Sequence, residues 1–252
     1  MMTQQWRSIT VFVMLMAAGI SSVLAIPSNT DTSLSGVGTD RTRYVFKEGT
    51  RQIGLTLKNK TRESYLVQAW VRGIDPKTGD VVNEQTPFFL KQPLVKTVAG
   101  GRYGFQLIKT KPVQVQDRES LYLLSFKFIP SKEKETKKRP DYGQTDVVLT
   151  YNVKLFYRPA TLKDSRVAQA AALLKFHRQG SVLKVNNPGP LWITFYSLKA
   201  GGYNVPEESF RQMVPPFGEA DYTIPENTGG NHLTWRVIDE NGDPTRENSA
   251  VF

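Results

Sequence analysis

From Tyr44 to Ile238 the apolar residues of this chain come in short runs of strand length, most stopped within a few residues by Gly, Pro or Asn. That punctuation is the strongest constraint on the fold, because short runs at close spacing, with turns between, build β-sandwiches. Ile53, Leu55 and Leu57 alternate with Gly54 and Thr56, the period of a strand with one buried face. Tyr44–Phe46, Tyr65–Val71, Tyr103–Leu107, Leu121–Ile129 and Val147–Tyr157 read as further strands. So do Leu183–Val185, Leu191–Leu198 and Leu233–Ile238. Strong turn signals stand between them, among them Asp75-Pro76-Lys77-Thr78-Gly79, Asn187-Pro188-Gly189-Pro190 and Glu240-Asn241-Gly242-Asp243. The one credible helix lies within Leu162–Phe176, around its Ala-rich centre, and the end of that run reads equally well as the start of a strand.

The chain of 252 residues has room for one large all-β domain or two of about 100 residues each. A boundary near 159–165 divides it into a first domain over 37–159, a linker over 160–165 and a second domain over 166–252. Ahead of these, residues 1–25 carry Arg7 as their only charge, an apolar middle from Ile9 and a small-residue exit at Val23-Leu24-Ala25. This is the pattern of a secretory signal peptide cut after about Ala25. A membrane anchor fits less well, because an apolar run of roughly 17 residues is short for a span of about 20. Residues 26–36 are small and polar, a flexible leader.

The absence of cysteine excludes disulfides, thiol nucleophiles and iron–sulfur clusters, and two histidines cannot build a multi-histidine metal site. His177 lies in a basic stretch and His232 in a Gly-Gly-Asn loop, neither beside a nucleophile motif. No P-loop or dinucleotide fingerprint is present and no cofactor is called for, while a glycosidase carboxylate pair stays open on the residues, since its members need not be close along the chain. The net charge of +10 calls for an anionic partner. Export argues against nucleic acid, and the mixed-charge run Lys132–Arg139 reads as a solvated loop between two strands.

Four segments in order carry a family resemblance. Asp40-Arg41-Thr42-Arg43-Tyr44-Val45-Phe46 opens the first domain, and Tyr65-Leu66-Val67-Gln68-Ala69-Trp70-Val71 follows. Asp117-Arg118-Glu119-Ser120-Leu121-Tyr122 leads into the strand ending at Ile129-Pro130, and Val153-Lys154-Leu155-Phe156-Tyr157-Arg158-Pro159 closes the domain. With Asn187-Pro188-Gly189-Pro190-Leu191-Trp192-Ile193-Thr194 in the second half, the chain resembles the periplasmic pilus chaperones of the PapD type from about Gly36 to about Asp243.

The resemblance implies an all-β fold of two immunoglobulin-like β-sandwich domains set at an angle. It also implies a periplasmic chaperone, without enzymatic activity or cofactor, that caps pilus (fimbrial) subunits by donor-strand complementation and delivers them to an outer-membrane usher. Self-association that caps the donor strand, no nucleic acid and no stable membrane insertion complete the implied partners. The donor strand falls on Thr145, Val147, Leu149, Tyr151 and Val153, which share one face at period two. Alternation alone favours an ordinary half-buried strand, and the resemblance reverses that. The resemblance places the anchor for the subunit's terminal carboxylate on Arg43 and Lys154, and an interdomain salt bridge on Glu119, Arg158 and Asp239. The absent cysteine pair around the donor-strand loop implies the short-loop branch that builds rod-like pili. Two readings from other classes stay open on the residues. One is a secreted carbohydrate- or matrix-binding sandwich using Trp70, Trp192 and Trp235 as platforms, although their place inside apolar strands favours core packing. The other is a secreted β-sandwich hydrolase, which the histidine count and context disfavour.

Overall fold

A computed structural model describes residues 36–75, 77–131 and 147–251. The signal-peptide segment, the Lys132–Arg139 run and Thr145 lie outside those residues. The first sandwich is formed by β1 (Val37–Thr39), β2 (Arg43–Lys47), β3 (Gln52–Asn59), β4 (Tyr65–Ile74), β5 (Val81–Val82), β6 (Phe88–Leu90), β7 (Leu94–Thr97), β8 (Arg102–Lys109), β9 (Ser120–Pro130) and β10 (Leu149–Arg158). One sheet runs β1-β3-β8-β6 and the other β2-β10-β9-β4-β5, with β7 also on β4. The alternation seen in the sequence sets the inward face. Leu55 and Leu57 of β3, Val67 and Ala69 of β4, Phe105 and Leu107 of β8 and Phe126 and Phe128 of β9 form one buried cluster between the sheets. Phe105 and Phe126 meet edge to face across it, their ring centres 5.7 Å apart.

A 3₁₀ turn at Ala160–Leu162 and the short α1 (Val167–Ala171) lead into the second sandwich. Its strands are β11 (Lys175–Gln179), β12 (Val182–Asn187), β13 (Phe195–Ala200), β14 (Tyr203–Asn204), β15 (Gly218–Thr223), β16 (His232–Val237) and β17 (Asn248–Val251). They form the sheets β11-β12-β15 and β14-β13-β16-β17 around a second buried cluster. The run Leu162–Phe176 is helical for a turn or two only, in the 3₁₀ turn and α1. Its end becomes β11, where Phe176 stacks on Trp235 at 4.5 Å while the Trp235 indole N–H donates to the Ala171 carbonyl.

The run Leu191–Leu198 is likewise not one strand. Ile193 makes an isolated bridge to Val214, and the regular ladder begins at Phe195. Asn187 fixes the preceding turn: its side-chain amide donates to the carbonyls of Leu191 and Pro215, and its oxygen accepts from the Gly189 N–H. At the C-terminal end, β17 pairs antiparallel with β16 from Asn248 to Val251.

Phe126 is fully buried between the sheets of the first sandwich. Phe126→Ala should lower the stability of that domain by about 3–5 kcal/mol, through lost transfer energy and a cavity that neighbouring aromatics cannot fill. Urea unfolding followed by near-ultraviolet circular dichroism measures it.

Candidate functional site

Strand β10 is held differently along its length. Against β9 it pairs antiparallel from Leu149 to Tyr157. On its other side it pairs parallel with β2, but only from Lys154, opposite Arg43, to Arg158, opposite Lys47. Among the described residues the stretch Leu149–Val153 has no partner on that second edge, so its outward N–H and C=O groups are free for another strand. The side chains at this end are apolar and exposed, Val147 at 75%, Val148 at 45% and Leu149 at 52%. Tyr151 is half-buried against the first sandwich's own core, and Val153 is 1% exposed within it. Val153 is thus spent on this domain's own packing and cannot fill a partner's groove.

Where the free edge ends, two cations meet. Arg43 and Lys154 face each other across the β2–β10 ladder. Arg43 is buried, donates from Nη1 to the Ile238 carbonyl of the second domain at 2.9 Å and lies over the Phe156 ring. Its Nε is buried without a partner. Burial pushes the Arg43 guanidinium down to about 10, against the pull of Asp239, Glu119 and Glu240. Lys154 donates to Thr194 Oγ1 at 3.4 Å, a weak contact. Burial and then the neighbouring Arg43 push its ammonium down to about 7. Among the described residues no carboxylate pairs with Lys154. Two half-desolvated positive groups side by side, one without an anion, make a site that gains from a bound carboxylate.

Lys154 opens onto a cleft of about 470 Å³ between the sandwiches, lined by Ile74, Leu123 and Asn152 of the first and Thr194, Phe195, Tyr196, Phe210 and Ile238 of the second. The β4–β5 hairpin forms part of its wall. Gly79 has φ +76 and a Cβ there would come 3.2 Å from the Arg211 carbonyl oxygen, so only glycine lets the hairpin tip lie this close. Asp80 and Arg211, both well exposed, pair loosely at 3.7 Å beside it.

The two sandwiches are joined by a buried ion pair. Arg158, 1% exposed, donates from Nε to Glu119 Oε1 at 2.8 Å, and its Nη2 lies 2.7 Å from the same oxygen. Its Nη1 donates to Glu240 Oε1 at 3.0 Å and to the Ser165 carbonyl at 2.8 Å. Glu240 Oε1 also accepts from the Val167 N–H at the start of α1. Glu119 is enclosed by the second domain: its carboxylate accepts from the Trp192 N–H, its carbonyl from the Trp192 indole, and its own N–H donates to Pro190. Burial pushes the Glu119 carboxyl up from the usual range, and Arg158 and the Trp192 N–H oppose that. Of the three residues Glu119, Arg158 and Asp239, the structure brings Glu119 and Arg158 together, and the third member of the network is Glu240. Asp239, one residue earlier, turns its carboxylate onto the N–H groups of Asn241, Gly242 and Asp243. It closes a turn in which Gly242, at φ +98, lies against Thr42 of the first domain.

The tryptophans do not make open platforms. Trp235 is core, Trp192 is committed to the junction, and Trp70 is half-buried with the Arg72 guanidinium 4.8 Å over its ring. Trp192 and Thr194 fall in one of the segments that carried the resemblance, but their roles at the site, and that of Ile238, had no signal of their own in the sequence, because they reach it from the second domain.

Comparison with known proteins agrees with this architecture. Residues 36–163 match the pili and flagellar-assembly chaperone PapD N-terminal domain, and residues 169–249 match the pili assembly chaperone PapD C-terminal domain. The probable fimbrial chaperone LpfB of Escherichia coli O157:H7 is 32% identical over 209 residues, covering 82% of this chain and 84% of that protein. The crystal structure of the E. coli chaperone DraB superposes with a TM-score of 0.71 at 27% identity, over 86% of this chain and 98% of that one. The SafB chaperone of Salmonella enterica, solved in complex with the SafA pilin, gives 0.72 at 25% identity over 87% of this chain and 97% of that one. The chain belongs to the PapD family of pilus-assembly chaperones, and its function is that of a fimbrial chaperone. The family is periplasmic and non-enzymatic, and no described helix is long and apolar enough to cross a membrane.

Arg158→Ala should lower stability by about 3–5 kcal/mol, because it leaves Glu119 buried without a counter-charge. Glu240→Gln, at the more exposed end of the network, should cost clearly less. Thermal unfolding of both variants at neutral pH checks the order.

Proposed function

We propose that this chaperone pairs the C-terminal strand of a pilus subunit with the free edge of β10 and holds the subunit's terminal carboxylate on Lys154 and Arg43. The observation that carries the reading is the coincidence of the two features: the edge ends where Arg43 and the Lys154 ammonium, which has no carboxylate partner among the described residues, stand side by side. A guest strand whose C-terminus rests at Lys154 and whose body extends towards Leu149 runs in the same direction as β10, so the added pairing is parallel. Main-chain hydrogen bonds supply the pairing. Val147 and Leu149, with Tyr151 at the inner end, fill the subunit's open groove. In the sequence Thr145 continues this alternation at period two. Capping in this way covers an apolar groove and a bare strand edge that would otherwise aggregate.

The carboxylate contact also sets register. A slip of one residue would turn every groove-filling side chain to the wrong face, and a charge pair at the strand's end penalises that slip. Without a subunit the same edge is open to a second copy of the chain. Export through a signal peptide cut after about Ala25 brings the protein to the periplasm, and delivery of the capped subunit to an outer-membrane usher follows from the family. Arg158, Glu119 and Glu240 serve this function indirectly, by fixing the second domain against the cleft.

Co-expression with a fimbrial subunit, followed by purification of a one-to-one periplasmic complex, tests the reading. Arg43→Ala and Lys154→Ala should fold and yet lose roughly 30- to several-thousand-fold in subunit affinity, the cost of leaving a desolvated charge unpaired. Leu149→Asp should abolish capture by placing a charge in the groove. Wild-type yields of complex with these variants would contradict the assignment.

The depressed Lys154 gives a further prediction with a definite sign. In the free protein Lys154 loses its proton as pH rises through about 7. A bound carboxylate restores the charge, so the complex keeps a proton that the free protein has released. Affinity should therefore be greatest below pH 7 and fall above it, approaching about tenfold per pH unit. Lys154→Arg, charged throughout, should remove the slope. Calorimetric titrations between pH 6 and pH 9 in buffers of different ionisation enthalpy measure both the slope and the proton uptake.

A further inference from the structure

The anchoring cations account for a terminal carboxylate, but the cleft beside them is much larger than a carboxylate requires. Its volume of about 470 Å³ falls in the range of about 300–1,000 Å³ common to built ligand sites. Its walls are mainly apolar: Ile74 and Leu123 from the first domain, and Phe195, Tyr196, Phe210 and Ile238 from the second. The polar groups are sorted. Asn152, Lys154 and Thr194 lie at the β10 side, and Glu207 and Arg211 on the far wall, where Arg211 is drawn towards Asp80.

Strand geometry relates this cleft to the guest. In β10 the side chains of Asn152 and Lys154 point away from the sandwich core that holds Val153, and both line the cleft. A strand paired to the edge of β10 has residues opposite these two on the same face. Its alternate side chains point to the opposite face, with Leu149 and Tyr151. Of the last two side chains of a guest whose carboxylate sits at Lys154, one therefore projects into the cleft.

We propose that the cleft is a specificity pocket for the end of the subunit: one of its last two side chains, apolar and as large as leucine or phenylalanine, is buried against Ile74, Leu123, Tyr196 and Phe210. This deepens the proposed function and rests on it, since the carboxylate fixes which residues reach the pocket. Charge complementarity commits the occupant. The unpaired Lys154 at the mouth requires an anion beside the apolar group, which a chain terminus supplies and an internal loop does not. Glu207 on the opposite wall disfavours an acidic side chain in the same place.

The test uses the full mature chain and short alternating Thr/Val peptides with free C-terminal carboxylates, carrying Phe, Leu, Gly or Asp at the last or the penultimate position. A C-terminal amide of the best binder completes the set, with affinities read by fluorescence anisotropy. At one of the two positions Phe or Leu should bind about tenfold or more tighter than Gly, with Asp weakest. Tyr196→Ala, half-exposed and so safe for folding, and separately Ile74→Ala should shrink that preference about threefold or more while leaving the Gly peptide unchanged. Equal binding of all four endings at both positions, with the amide inactive, would overturn the pocket and leave the carboxylate reading standing. An amide that binds as well as the acid would overturn the reading beneath it. Absence of binding by every free-carboxylate peptide overturns the proposal as well.

Discussion

Strand β10 is shared between two tasks, and the rest of the molecule is organised around that division. From Lys154 to Arg158 it has a neighbour on both sides, and from Leu149 to Val153 on one side among the described residues. The doubly paired end carries buried side chains, Leu155, Phe156, Tyr157 and Arg158, so it is firmly part of the fold. The singly paired end exposes apolar groups on an open edge. Edges of this kind are usually blunted by charge, proline or a bulge. This one carries Val147, Val148 and Leu149 instead, and an exposed apolar edge is costly unless it has a use.

The charges follow the same division. Arg158 is fully enclosed, but each carboxylate around it is hydrogen-bonded to both domains, so the buried pair is satisfied on all sides and ties the sandwiches at one place. Arg43 and Lys154, only a few residues away, are left without that satisfaction. Their burial, and then their proximity, cost free energy in the unliganded molecule, and both push the Lys154 ammonium down. On the proposed reading the subunit's carboxylate relieves that cost, which makes binding and register depend on the same contact. The second domain is then not a passive appendage. Ile238 and Thr194 contact the two cations, Trp192 encloses Glu119, and Phe195, Tyr196 and Phe210 line the cleft.

Much of this was legible in the sequence because the buried faces of the first sandwich alternate in large side chains. Leu55 and Leu57, Phe105 and Leu107, and Phe126 and Phe128 mark their faces without ambiguity. Where small residues do the same job the signal fades. In β15 the inward residues are Ala220 and Tyr222, between Glu219 and Asp221, and the segment does not read as a strand. The end of the Ala-rich run after Leu162 read equally well as helix or strand, and the packing of Phe176 on Trp235 decides for the strand. The exchange of Asp239 for Glu240 had no local signal. Both are acidic, and the choice depends on which carboxylate the turn at Gly242 consumes. Val153 fits the donor alternation but lies past the point where the strand enters its own core, a limit set by the length of β2 on the neighbouring edge.

The central claim is that a subunit pairs with the open half of β10 and is registered by its carboxylate. Backbone hydrogen exchange of the chaperone, free and in complex with a subunit, measures it most directly. The account predicts new protection at the amides between Val147 and Asn152 that point away from β9, lost when the subunit's C-terminus is amidated or truncated. Protection that leaves this edge unchanged, or that persists there without the terminal carboxylate, would contradict it.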